Sequence, residues 1–246
     1  MTDPAGRDEG HHHDTSPDAV TDPSVVAGMW DERYSADDRI WSGEPNGALV
    51  AEAQVLSPGR VLDVGCGEGA DAVWLALRGW DVTALDVSGV ALQRAEAAAV
   101  AAGANVTWLH AGLLDAGVAD SGFDLVSAQY PALARTPGRD AERALLATVA
   151  PGGTLLFVHH AQFGTQPAEG QGDNSEHTHA HAHTTGHGEG NAHGFRPQDF
   201  VGPADVAAVL GDDWQVEADE LRPRNVQSGA GAGHTEDVVL RAKRLR

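Results

Sequence analysis

The chain has 246 residues, 41% of them hydrophobic, enough for one α/β domain with a sizeable core plus tails or an insertion. Its 16 Lys and Arg stand against 36 Asp and Glu, a formal charge of −20 that disfavours a nucleic-acid partner, since such binding rests on basic groups neutralising phosphates. No apolar run reaches the ~18 residues needed to span a bilayer and no basic-then-apolar leader opens the chain, so no membrane partner and a soluble, cytoplasmic setting are expected; the single cysteine, Cys66, excludes an internal disulfide.

Residues 1–24 are rich in Asp, Pro, Gly, Thr and Ser. They offer too little apolar surface to offset ordering entropy, which predicts a disordered acidic tail ahead of one domain over residues 25–246. From Val25 to Asn46 the chain brings Trp30, Tyr34 and Trp41 close together, as in a packed or lid-forming segment. A strand–helix alternation follows. Arg60–Val64 reads as a buried strand, Ala70–Leu77 as a helix closed by Gly79, and Asp81–Leu85 as a second strand. Ser88 suits the N-cap of a helix that runs to Ala102 and stops at Gly103. Val106–His110 and Phe123–Ala128 read as strands, Ala141–Val149 as a helix, "PGG" at 151–153 as a turn and Thr154–Val158 as a strand.

After that strand the rhythm lapses. Residues 161–194 are rich in Gly, His and Thr and read as a long insertion. A helix over Pro203–Leu210 and strands over Trp214–Glu220 and Val238–Ala242 complete the pattern, the last two joined by a flexible-looking "SGAGAGH" linker. Arg241, Lys243, Arg244 and Arg246 read as the solvated face of the last strand. The alternation implies a mostly parallel sheet with helices on both faces.

"LDVGCGEGADAVWLALRGWDVTALDVS" carries the chemistry. Gly65, Gly67 and Ala70 satisfy a G-x-G-x-x-G/A turn, and Asp86 lies at the distance of a ribose-binding carboxylate. The plain alternative is a turn that only lets a helix pack on a strand. Asp63 just before the turn and Glu68 within it oppose a pyrophosphate, which seeks positive potential. They suit a ligand bearing ammonium and sulfonium cations, and only one nucleotide-binding half precedes the irregular region. These features favour S-adenosylmethionine over a nicotinamide dinucleotide.

This stretch, with "FDLVSAQY" and "LLATVAPGGTLLFVHH", resembles the core of class I S-adenosylmethionine-dependent methyltransferases. The "WDERY…WSGEPN" lead-in is similar to small-molecule enzymes of the tellurite-resistance and thiopurine type. The resemblance implies a Rossmann-like, seven-stranded, mostly parallel sheet with the last strand antiparallel. It implies that Asp63, Gly65, Gly67 and Gly69 surround the methionine part of the cofactor, that Asp86 holds the ribose and that Val87 packs on adenine. Gly112 stands where relatives often carry an acid toward the adenine amino group, leaving that contact to the backbone of Gly112 and Leu113. Gln129 and Tyr130 would face the transferred methyl group, while Trp30, Tyr34 and Trp41 either close over the cofactor or pin the N-terminal helix to the sheet. His159 and His160 end the fifth strand beside the expected acceptor pocket, and with Tyr130 one of them, His159 foremost, is a candidate to orient or deprotonate the acceptor.

The expected activity is methyl transfer to a small molecule, a soft nucleophile such as a thiol or a selenium or tellurium species, which needs alignment more than acid–base help. Cys66 reads as a small residue packed beneath the turn. His177, His179, His181 and His183 in the insertion could chelate a divalent Zn, Ni or Cu ion weakly. They support a second reading, a metal-binding or metal-responsive protein that retains the cofactor fold structurally.

Overall fold

The computed structural model describes residues 22–118, 122–161, 197–226 and 228–246. The histidines at 177, 179, 181 and 183 and nearly all of the expected N-terminal tail lie outside them.

Helix α1 (Pro23–Ala36) begins before the expected domain boundary. Asp22 caps it by accepting from the Ser24 amide, and Pro23 sits in its first turn, where a missing N–H costs nothing. A short α2 (Gly47–Ala53) leads into β1 (Arg60–Val64), α3 (Ala70–Ala76), β2 (Asp81–Asp86), α4 (Gly89–Ala102) and β3 (Val106–His110). Then come β4 (Phe123–Gln129), α5 (Asp140–Thr148), β5 (Val149–His160), α6 (Pro203–Ala207), β6 (Trp214–Pro223) and β7 (Glu236–Arg244). The caps behave as their residue types dictate. The Ser88 hydroxyl accepts from the Ala91 amide, and Gly103, at φ 69°, turns the chain out of α4.

The seven strands run in the order β3-β2-β1-β4-β5-β7-β6, with β7 antiparallel to both of its neighbours. Alternate residues feed two cores, as the two-residue period of a strand requires. Leu62, Val126, Leu155, Phe157 and Leu240 pack toward α5 and α6, with Leu145 and Val206 opposite them. Val61, Leu125, Leu156, Val158 and Val239 pack toward α2 and α3, against Leu49, Ala72 and Leu75. Strands β1, β4 and β5 are therefore apolar along nearly their whole length, because helices cover both faces.

Three sequence expectations are corrected. The "PGG" turn is a bulge inside one long strand: Val149 pairs with Phe123, and pairing resumes with Thr154 opposite Leu125. The "SGAGAGH" linker is packed, since the Ala230 amide donates to the Ile40 carbonyl at 2.9 Å and a side chain on Gly229 would meet the Trp41–Ser42 backbone. Arg241 is not simply solvated. It donates to Glu52 on α2 at 2.6 Å and forms an ion pair with Glu217 on β6 at 2.8 Å, and Arg222 also pairs with Glu52, tying α2 to the antiparallel edge.

Candidate active site

The chain order reverses direction across the sheet between β1 and β4, so loops leaving their C-terminal ends diverge and open a crevice. A cavity of about 410 Å³ lies there. Its floor is the β1–α3 turn, one wall the ends of β2 and β3, the other the ends of β4 and β5. The α1–α2 segment and residues from 224 to 230 close over it.

Gly65 and Gly67 have φ of 72° and 52°, a left-handed turn that L side chains rarely adopt. A Cβ on Gly67 would come within 2.8 Å of the Tyr34 hydroxyl, so the lid segment touches the turn directly. Gly69 is corrected: it does not line the cavity. Its missing side chain makes room for Ala95 of α4, which a Cβ would meet at 2.6 Å, and for Trp108. The third glycine of the motif therefore serves helix packing.

Asp86 is buried at the end of β2. Its Oδ2 accepts from the Gly67 amide at 2.8 Å and its Oδ1 from the Ser88 amide at 2.8 Å, which aims the carboxylate across the cavity. Asp71, in the first turn of α3, accepts from both the amide and the side-chain nitrogen of Asn46 at 2.7 Å. Asp63 differs from both. It is 2% exposed, lines the cavity, and its Oδ2 has no hydrogen-bond partner among the described residues. Burial first, then the carboxylates of Asp71 and Asp86, push its pKa well above the usual carboxylate range. Burial likewise raises Asp71, Asp86 and the thiol of Cys66. That thiol stays protonated, in keeping with a packing role.

Glu68 is the second correction. Its carboxylate accepts from the amides of Ile40 and Trp41 at 3.3 and 3.0 Å and pairs with Arg94 of α4 at 2.9 Å. The charge is thus neutralised by partners and adds little field at the cavity; Glu68 is a clamp for the lid segment. Sequence reasoning missed this clamp and its companion. Asp31 of α1 accepts from the Ser88 hydroxyl at 2.6 Å and the Val90 amide at 3.2 Å, docking α1 on the N-terminus of α4.

Trp30, Tyr34 and Trp41 both pack and line: the Trp41 indole donates to the Tyr34 hydroxyl at 2.9 Å, and all three border the cavity. Val87, Gly112, Leu113 and Gln129 border it as well. Gln129 spends its nitrogen on the Ser127 hydroxyl at 3.1 Å and leaves Oε1 buried without a partner among the described residues.

Tyr130 also faces the cavity, with φ at 54°, a left-handed backbone that costs a non-glycine residue on the order of 1 kcal/mol. Such strain gathers at functional sites. Its hydroxyl is already committed, donating to Asp237 at 2.7 Å and accepting from Arg224 at 3.1 Å. Burial raises its pKa, so it holds its proton and is no acid or base near neutrality. His159 is the third correction. It is not among the residues that line the cavity, is 5% exposed, and burial drives its pKa down to about 3, so the ring stays neutral. Its neighbour His160 borders the cavity instead, with the His159 ring edge-on to it at 5.8 Å between centroids. Among the described residues no cluster of three or more His, Cys, Asp or Glu side chains could hold a metal ion, and no helix is long and apolar enough to cross a membrane.

Residues 61–153 match the methyltransferase domain family. An uncharacterized methyltransferase of Mycobacterium tuberculosis strain H37Rv is 37% identical over 122 residues, 49% of this chain and 61% of the relative. The probable S-adenosyl-L-methionine-dependent methyltransferase TehB of Haemophilus influenzae is 46% identical over 41 residues, 17% of this chain and 14% of the relative. The chain thus spans less than two thirds of the curated relatives it matches. Among solved structures, the N-methyltransferase NodS of Bradyrhizobium japonicum with S-adenosyl-L-homocysteine superposes with a TM-score of 0.61 at 19% identity, covering 90% of this chain and 99% of NodS. A protein studied for converting a disulfide bond into a thioacetal group during echinomycin biosynthesis superposes with a TM-score of 0.64 at 22% identity, covering 89% and 92%. Residues 61–153 thus carry a match to a methyltransferase domain, and the fold as a whole is one that solved methyltransferases such as NodS share.

Proposed function

We propose that the protein transfers the methyl group of S-adenosylmethionine to a small-molecule acceptor that is a soft nucleophile: a thiol, or a selenium or tellurium species. One observation carries the cofactor assignment. Asp63 lines the cavity beside a glycine turn with its buried Oδ2 unpartnered among the described residues, and a buried carboxylate without a partner is costly unless a cation meets it. The ammonium of S-adenosylmethionine is such a cation, whereas a pyrophosphate would add repulsion. Asp86 would take the ribose hydroxyls, Val87 and Leu113 the adenine, and Gly65 and Gly67 the methionine backbone. When bound, the cofactor supplies an electrophilic methyl group on a good leaving group.

The chain's own residues then have three tasks: to hold the acceptor in line, to exclude water, and to leave the sulfonium uncrowded by bases. Aromatic rings from Trp30, Trp41 and Tyr130 close the crevice, and Pro131 stiffens its wall. The cavity volume suits a small molecule beside the cofactor. The disulfide conversion named for one structural neighbour is sulfur chemistry, which puts thiols first among acceptors to try.

Calorimetry with S-adenosylmethionine tests the reading. The wild type is expected to bind, and Asp86→Ala to bind about tenfold or more weakly, because a charged hydrogen-bond acceptor to the ribose contributes roughly 1.5–3 kcal/mol. Equal affinity of the two proteins, or none in the wild type, refutes it.

A further inference from the structure

We propose that His160, oriented by Asp237, is the base that takes the proton from a neutral thiol acceptor, an inference that rests on the methyl-transfer reading and narrows its acceptor class. The ring of His160 is held between two others. Tyr130, from the end of β4, stacks on it with centroids 4.4 Å apart, and His234, from the β6–β7 connection, stacks with centroids 3.8 Å apart and planes 12° from parallel. With its faces covered, the imidazole meets the cavity by an edge. Its Nδ1 edge is turned to Asp237 Oδ1 at 3.4 Å, and its Nε2 makes no hydrogen bond among the described residues. Catalytic hydrogen bonds are often this long before substrate binds and tighten afterwards.

The surroundings define what such a base is for. The charged and titratable groups against the ring, among the described residues, are Tyr130, His159, Arg224, His234 and Asp237. Tyr130 keeps its proton and His159 is neutral. Arg224 lies 3.6 Å from Asp237, so these two charges cancel locally. Tyr130, His159 and the Arg224–Asp237 pair together offer no net positive charge to an oxyanion or a pre-ionised selenide, and the Asp237 carboxylate disfavours both. A neutral thiol fits. With an ordinary pKa near ~8.5 it is mostly protonated at neutral pH, while only its thiolate is a strong nucleophile.

In the proposed step the acceptor's S–H bond breaks and its proton passes to His160 Nε2. The freed pair on sulfur forms the new S–CH3 bond, and the methyl–sulfonium bond of S-adenosylmethionine breaks with its pair returning to the donor sulfur. The imidazolium, held by Asp237, then releases the proton to solvent. Asp237 acts through His160 and is a positioning residue; Tyr130 and Arg224 fix its carboxylate.

The full chain and His160→Asn are to be compared across pH with two thiols: 2-phenylethanethiol, protonated at neutral pH, and pentafluorothiophenol, already ionised there. The variant is expected to lose about a hundredfold in kcat/KM with the first thiol, to lose the acid limb of its pH profile, and to be nearly unchanged with the second. Cofactor affinity by calorimetry is expected to be unaltered. Independently of turnover, the nitrogen NMR spectrum of the His160 ring with S-adenosylhomocysteine present is expected to show the proton on Nδ1 in the wild type and a redistributed tautomer in Asp237→Asn, because the carboxylate fixes which nitrogen carries it. Equal losses with both thiols, no loss with either, an unmoved tautomer, or a wild type that binds cofactor and methylates neither thiol overturns the proposal. A wild type that fails to bind the cofactor instead overturns the methyl-transfer reading on which it rests.

Discussion

Three buried aspartates line the crevice, and they differ in how each is satisfied. Asp71 and Asp86 accept hydrogen bonds from neighbouring backbone and side-chain groups, whereas Asp63 keeps an oxygen bare. Its raised pKa makes it a stability liability with a definite sign. Below the ordinary carboxylate pKa, near ~4, folded and unfolded chains are both protonated there; above it the unfolded chain ionises freely while the folded one resists. This contribution to stability is thus present at low pH and is lost as pH rises toward the folded-state pKa. Asp63→Asn is expected to remove that loss, so its urea midpoint should exceed the wild type's at neutral pH and converge with it near pH ~4. The same variant should bind S-adenosylmethionine about tenfold more weakly, by the magnitude of one charged hydrogen bond. Wild-type binding should release protons as the arriving ammonium ionises Asp63, read as a dependence of calorimetric heat on buffer ionisation enthalpy. A less stable variant with unchanged affinity would remove Asp63 from the cofactor site.

At the scale of elements, α1 and the loop after it form a lid fastened at two points. Asp31 engages the start of α4, and Arg94, from within α4, reaches Glu68 and the carbonyls of Tyr34 and Asp37, the latter two at 2.6 Å. Arg94→Ala strands the Glu68 carboxylate and frees both carbonyls, while the two sheet cores, which Arg94 does not touch, keep their packing. Hydrogen exchange over residues 23–46 is expected to accelerate with exchange in β1, β4 and β5 unchanged, and cofactor affinity to fall by about tenfold. Uniform acceleration would show that α1 is integral to the fold and no lid. These fasteners also mark what the sequence could reveal. The strands and the Ser88 and Gly103 caps were legible because period, cap chemistry and glycine stops are local signals. So were Asp63, Gly65, Gly67 and Asp86, whose order along the chain is the motif itself. Glu68, Arg94, Asp31, Arg224 and Asp237 were not, because each acts through a partner at least 26 residues away, a separation that no local pattern encodes. His159 was preferred to His160 on adjacency alone, and which of two neighbours faces the cavity is set by the register of β5 against β7.

The whole molecule adds a long-range field to this local design. A chain of formal charge −20 carries a negative long-range field, so a cation approaching the crevice is drawn in over distances set by the Debye length. S-adenosylmethionine and S-adenosylhomocysteine have nearly the same shape and differ by the sulfonium charge, which makes them a matched pair for isolating that field. Raising ionic strength from about 0.01 M to 1 M shortens the Debye length from about 30 Å to about 3 Å. Association of S-adenosylmethionine is then expected to slow on the order of tenfold, with dissociation little changed, while the rates for S-adenosylhomocysteine stay flat. Stopped-flow fluorescence can follow both through Trp30 and Trp41, which border the cavity. Identical salt slopes for the two ligands would mean that the acids around the crevice shape the site without steering toward it. A slope confined to S-adenosylmethionine and abolished at high salt ties the acidic composition of the entire chain to the charge of the methyl donor.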